Sequence, residues 1–413
     1  MKLAILNGVL LTPFQRLRGG MIVIENGRIL GIHDRHEELP EGTVRYDAGQ
    51  AYVAPGFIDL HVHGGDGHDF MDATPEAFLK IAGLHARHGT TALVPTTLTA
   101  EKDDLFRTLD AYEKARTANT GGAQFLGMHL EGPYFALNQR GAQDPRYIRN
   151  PDPAEYEEIL AYSPSIARWS AAPELDGAIP FGRRLREKGI LAAIAHTDAL
   201  YDDVRRAYEA GYSLVTHLYS CMTGVTRRNG FRHAGVIESA YLFDEMDVEL
   251  IADGVHLPPP LLQLAYKIKG PEHAALITDA MRAAGLPPGP SILGSLKNGT
   301  PVIVEDGVAK LPDRQAFAGS VATADRLLET VLTTTDIPLL DAVRMLTSTP
   351  ARIMGVADRK GSLAPGMDAD LVVFDRRCRM LLTVIGGNVV FRQDIHEGVP
   401  ETFFDFPESS DFS

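Results

Sequence analysis

The chain has 413 residues, 45% of them hydrophobic and 23% charged, a length and balance that suit one large domain with a smaller companion and a substantial buried core. A formal net charge of -14 argues against a general nucleic-acid or anionic-membrane surface, so an anionic ligand must be met by a local basic pocket. Cys221 and Cys378 are the two cysteines, with no CxxC pair, which excludes a disulfide framework and a thiolate zinc site and fits a reducing compartment.

The N-terminal run LAILNGVLL falls short of the ~20 apolar residues of a membrane span and lacks a signal-peptide layout, so the cytoplasm is the expected location. Residues 1–54 read as short strands, KLAILNG, VLLT, GMIVIENGRILGI and VRYDAG, with each Asn-Gly or Asp-Ala-Gly taken as a turn. The same texture returns in DADLVVFD and RMLLTVIGGNVVFRQ, which predicts one small β domain built from both termini.

Between these ends, short apolar runs alternate with helical segments such as TPEAFLKIAGLHARHG and DDVRRAYEAG. Eight runs read as strands: GFIDLHVH, TALVPT, QFLGMHLEG, ARWSAAPE, ILAAIAHT, SLVTH, VELIAD and AALITDA. Eight βα units are the pattern of a TIM barrel, although a doubly wound sheet gives similar local signals. The expected divisions are 1–54 and 359–397 for the small domain, 55–358 for the barrel, and 398–413 for an acidic tail.

The polar residues on these runs carry the chemistry. His61 and His63 in PGFIDLHVHGG are two apart on a strand and share one face. Glu131 ends the third run, His196 the fifth, His217 the sixth and Asp279 the eighth. In a barrel these ends converge on the mouth where catalytic groups sit. A lone histidine at a strand end is usually structural, and a lone carboxylate there usually caps the next helix. Two carboxylates and four imidazoles buried together, however, need a compensating cation. Donors of this kind without thiolates suit Zn2+, Fe2+ or Mn2+. Such an ion lowers the pKa of a bound water from about 15.7 towards ~7, and Asp279 is then the natural general base.

Beyond the ligand pattern, MHLEGPYF at 128–135, AHTDA at 195–199, THLYSCM at 216–222, IADGVH at 251–256, LITDAM at 276–281 and TPARIMG at 349–355 resemble the N-acetylglucosamine-6-phosphate deacetylases of the amidohydrolase superfamily. GSLAPGMDADLVVFD at 361–375 matches the returning small domain. The resemblance implies an α/β fold, a (β/α)8 TIM barrel of amidohydrolase type with a small β-sandwich domain. It implies hydrolysis of N-acetylglucosamine 6-phosphate with one or two divalent metal ions, Zn2+ first among them, by a homodimer whose subunits contribute to each other's phosphate pocket. Deacetylation of the galactosamine epimer or another N-acyl amine, and a catalytically silent barrel, are the rival readings. Strand four ends in Ala-Pro-Glu rather than a lysine, and His196 is followed by Thr-Asp-Ala rather than Ala-Gly-Glu; these disfavour a carboxylated-lysine site and purine deamination.

By the same resemblance, Glu131, His196 and His217 hold the principal metal, and His61 and His63 bear on a second ion bridged through Glu131. Asp279 accepts a proton from the attacking water and returns it to the leaving amine. The phosphate falls to His256, to backbone N–H groups at Ser220 and Cys221, and to Arg227 or Arg228, the latter at the family's offset of eleven residues from His217. Two departures stand out: TGVTRRNGFRHAG in place of the family's Gly-Arg-Glu-Pro-Gly, and Gln143 where familiar members have His. Ala142, Gln143, Ala318 and Gly319 are expected to contact substrate, and His129 to support the site or touch substrate. His68, His85 and His88 read as structural or exposed.

Overall fold

The computed structural model describes residues 2–12, 15–34, 38–39 and 41–393, so the expected acidic tail at 398–413 lies outside the described residues. Eight parallel strands make up the central part: β1 (Phe57–Val62), β2 (Thr90–Pro95), β3 (Met128–Glu131), β4 (Ile166–Ala171), β5 (Leu191–Ile194), β6 (Tyr212–Val215), β7 (Asp247–Ile251) and β8 (Ala274–Ile277). Each overlaps one of the eight expected runs, and those at Thr90, Ile166, Tyr212 and Asp247 begin one residue earlier than expected. β1 pairs with β2, and β3 to β8 pair in chain order, all parallel. Single parallel bridges join the two arcs at both seams, Thr96 with His129 and Val62 with Ala280.

A helix follows each strand, from Pro75–Arg87 after β1 to Ala324–Thr334 after β8, so the connectivity is that of a (β/α)8 fold of the TIM-barrel type. The first of these shows how local sequence sets the ends. Thr74 Oγ1 accepts from the Ala77 N–H at 3.2 Å, and Pro75 takes the first helical turn, where a missing N–H costs nothing.

Both ends of the chain build one eight-stranded sheet, its halves joined where Tyr52–Pro55 pairs antiparallel with Leu371–Phe374. Alternation divides its side chains: Leu371 and Val373 enter the small domain's core with Leu3, Ile5, Ile22 and Ile24, while Val372 and Phe374 pack into the barrel's outer core. One expected turn is instead a bulge. Lys2–Leu11 runs on as a single strand through Asn7-Gly8, with register shifts around Gly8. Burial of Ala4, Ile5, Leu10 and Leu11 favours continuing the strand, and a Cβ at position 8 would lie 2.4 Å from the Val53 side chain.

An element that the strand reading did not anticipate follows β8: a four-stranded antiparallel sheet of Gly289–Leu293, Thr300–Glu305, Val308–Lys310 and Phe317–Ser320. Its own small core includes Leu293, Val302, Val304, Ala309 and Ala318. Arg282 ties it to the loop after β1, donating to Asp72 Oδ1 at 2.6 Å, Gly67 O at 2.7 Å and Gly294 O at 2.7 Å. The sheet thereby brings Leu293, Phe317 and Gly319 to the barrel mouth.

Candidate active site

The residues that close β5, β6 and β8 leave extended geometry at one step: His196, His217 and Asp279 have φ of 46°, 32° and 47°. Left-handed backbone is uncommon for such residues and gathers at functional sites, where the surroundings hold it in place. The turn directs all three side chains into a common cluster with Glu131 from the end of β3 and His61 and His63 from the end of β1. Two sets of donors result, His61 with His63 and Asp279, and Glu131 with His196 and His217, with the donor atoms of each set within 4.8 Å of one another.

Glu131 joins the sets. Its Oε1 lies 3.1 Å from His217 Nε2, 3.4 Å from His196 Nε2 and 3.4 Å from His61 Nε2, while Oε2 lies 3.4 Å from His63 Nε2. Asp279 Oδ1 is 3.3 Å from His63 Nε2 and 3.5 Å from His61 Nε2. All six residues are buried. Burial disfavours a charged His63, yet the Asp279 and Glu131 carboxylates outweigh it and hold the imidazole up at about 9. Burial alone would raise Glu131, but His61, His196 and His217 hold it well below the usual carboxylate range.

These residues fit a divalent cation. The Nε2 atoms of His61 and His63 face each other at 3.1 Å, and their Nδ1 atoms, like that of His217, are buried without a hydrogen bond. His196 Nδ1 faces Gln139 O at 2.8 Å, which fixes the proton on Nδ1 and leaves the Nε2 lone pair for the cluster. A cation satisfies the same carboxylates while the imidazoles stay neutral donors.

A cavity of about 340 Å³ opens onto the cluster, lined by His63, Glu131, His196, His217 and Asp279 and by Ala142, Gln143, Ser220, Cys221, His256 and Gly319. His256 Nδ1 is held by Asp253 Oδ2 at 2.8 Å, so Nε2 is the ring nitrogen available to a ligand. The Ser220 N–H already donates to His217 O at 2.9 Å, so of the two amides expected to cradle an anion this one is engaged. Ala318 is buried in the core of the added sheet. Arg227 and Arg228 do not line this cavity. They are exposed on a two-stranded hairpin, Thr226–Arg228 with Phe231–His233, turned by Asn229-Gly230. His129 lies beneath the cluster rather than in the cavity, its ring nitrogens 2.7 Å from Ser170 Oγ and 3.2 Å from Thr96 Oγ1.

Under the cluster lies a polar layer that the strand-end reading missed. Arg168 of β4 donates to both oxygens of Glu249 of β7, to Thr216 Oγ1 at 2.7 Å and to Leu60 O at 3.2 Å. Glu249 Oε2 in turn lies 3.5 Å from His61 Nδ1. The signal was present in ARWSAAPE and VELIAD, where Arg168 and Glu249, of opposite charge, each fall inside a largely apolar strand rather than at its end.

Comparison with known proteins agrees with this geometry. Residues 52–390 match the amidohydrolase family. The chain is 32% identical to the N-acetylglucosamine-6-phosphate deacetylase of Bacillus subtilis, covering 92% of this chain and 95% of that one. It is 34% identical to the N-acetylgalactosamine-6-phosphate deacetylase of Escherichia coli O157:H7, over 82% and 87%. The structure of a mutant N-acetyl-D-glucosamine-6-phosphate deacetylase from Mycobacterium smegmatis, in complex with N-acetyl-D-glucosamine-6-phosphate, superposes with a TM-score of 0.84 at 33% identity, covering 94% of this chain and 99% of that one. The chain belongs to the amidohydrolase family and, within it, to the N-acetylglucosamine-6-phosphate deacetylases.

Proposed function

We propose that this protein hydrolyses N-acetyl-D-glucosamine 6-phosphate to D-glucosamine 6-phosphate and acetate, a step of amino-sugar breakdown. The observation that carries the reading is the convergence of Glu131, His196, His217 and Asp279 on one cavity that also holds His256. The named activities of the relatives supply the substrate class.

Glu131, His196 and His217 are assigned to the principal ion, and His61, His63 and Asp279 to a second. Zn2+ suits their imidazole and carboxylate donors best. When bound, a divalent ion supplies Lewis acidity, which lowers the pKa of water and stabilises negative charge on the amide oxygen. Asp279 takes a proton from the attacking water and delivers it to the amine nitrogen as the C–N bond breaks. Ala142, Gln143 and Gly319 line the sugar's side of the cavity, and His256 and Cys221 meet the phosphate.

An acidic chain needs further positive charge there. Arg227 and Arg228 stand exposed on their hairpin, and we assign them to the phosphate pocket of a second subunit in a homodimer. Barrel and small domain divide near residues 54 and 358. Both cysteines are free, which supports a reducing, cytoplasmic setting, and among the described residues no helix is long and apolar enough to cross a membrane.

The galactosamine epimer is the second reading, favoured by the Escherichia coli relative. Acetate release from the two phosphorylated sugars, measured on metal-loaded protein, tests both. Release from the glucosamine sugar supports the first reading, preference for the epimer supports the second, and no release from either sinks both.

A further inference from the structure

Gln143 is buried, with its side chain between a backbone amide and the carboxylate that joins the two donor sets. The Thr99 N–H donates to Gln143 Oε1 at 2.9 Å, and the Thr99 hydroxyl donates to the same oxygen at 3.0 Å. A backbone N–H can only donate, so the amide oxygen must face Thr99 and the amide N–H groups must face the other way. There Nε2 donates to Glu131 Oε2 at 2.7 Å. The loop that carries Gln143 is itself closely held: Gly141 has φ +57°, and a Cβ on it would lie 2.7 Å from Cys221 Sγ.

We infer that Gln143 is a positioning residue for Glu131, which holds Oε2 by its amide and turns Oε1 to His196 and His217. The inference rests on the metal-dependent reading above and goes beyond it by naming the residue that orients the shared carboxylate and so sets how far the two ion sites differ. An amide bonded to Oε2 orients the carboxylate for the Glu131, His196 and His217 set, the effect that outer hydrogen-bond partners have on metal ligands. The same bond draws on the oxygen that faces His63. The His61, His63 and Asp279 set therefore meets Glu131 at His61 through Oε1, which it shares with His196 and His217, and at His63 through an oxygen already bonded to Gln143, and its ion is held more weakly. Thr99 and Gln143 thus set the order in which the two sites fill.

The test is a Zn2+ titration of chelator-stripped protein against a chromogenic competitor, with metal content counted at each step. The wild type is expected to bind one ion per chain tightly and a second more weakly. Gln143→Leu, which keeps bulk and removes the donor, should weaken the first ion about 10–100-fold and bring the two affinities closer together. Thermal unfolding of the stripped variant checks that it folds, and Gln143→Met, unbranched and without a donor, replaces it if it does not. A purely structural role would lower the unfolding temperature and leave the two affinities in their wild-type ratio. Wild-type affinities in the variant, or two equal sites in the wild type, would overturn this assignment alone. A wild type that takes up no ion would overturn the metal-dependent function with it.

Discussion

Arg168 and Glu249 form a fully buried ion pair directly beneath the candidate metal cluster, with Arg168 Nη2 2.9 Å from Glu249 Oε2. Burial alone would raise the Glu249 carboxyl, but Arg168 and, after it, His61 outweigh it and hold the group at about 2. Removing one partner leaves the other charged in the barrel interior. Arg168→Leu or Glu249→Gln should therefore cost about 3–5 kcal/mol of stability. Denaturant unfolding of the metal-free protein measures this, and a loss near zero would show that water reaches the pair.

Asp279→Asn removes the carboxylate proposed above as the proton acceptor while retaining an oxygen in the cluster. Turnover should fall by about 10²–10⁴ with bound metal retained. Near-normal turnover would remove Asp279 from the role assigned to it.

Replacing His61 and His63 together with Asn leaves Glu131, His196 and His217 untouched. At saturating Zn2+ the count per chain should drop by one, and treatment with a chelator should abolish activity in wild type and variant alike. An unchanged count would make the two histidines strand-end residues.

Arg228→Ala should raise KM for the phosphorylated sugar far more than for the unphosphorylated one. If the hairpin serves the neighbouring subunit, mixing Arg228→Ala chains with Asp279→Asn chains should recover activity. Each mixed dimer then pairs an intact Asp279 with an Arg228 from the other subunit. No recovery on mixing, in dimers shown to exchange, counts against the shared pocket.

His85, buried with Nε2 3.0 Å from Gly64 O, is pushed down by burial from its ordinary 6.5 to about 4. The unfolded chain binds this proton first as the pH falls. The contribution to stability is thus complete above about 6.5 and lost towards about 4, roughly 3 kcal/mol in all. His85→Gln, which keeps a donor for Gly64 O, should flatten that part of the stability profile, and an unchanged profile would place the titration elsewhere.

Much of the cluster was legible in the chain because strands repeat every two residues and barrel strands end on one rim. Those two facts suffice to bring His61, His63, Glu131, His196, His217 and Asp279 together once eight apolar runs are found. The bulge at Asn7-Gly8 and the sheet at 289–320 were not legible. Whether an Asn-Gly turns or bulges depends on what buries the flanking residues, and short strands of mixed polarity are paired by partners that the local pattern does not reveal.

By itself, then, the sequence determined an α/β class and the candidate ligand types at strand ends, which follow from composition and local periodicity, while its resemblance to the deacetylase family selected a barrel over a doubly wound sheet. Only the tertiary structure decided which oxygen of Glu131 faces which histidines, that Gln143 bridges Thr99 and Glu131, that Arg168 and Glu249 pair across the barrel, and that Arg227 and Arg228 are exposed outside the lining of their own cavity. Each of these depends on contacts between residues distant in the chain, whose distances are set by packing and not by spacing along it.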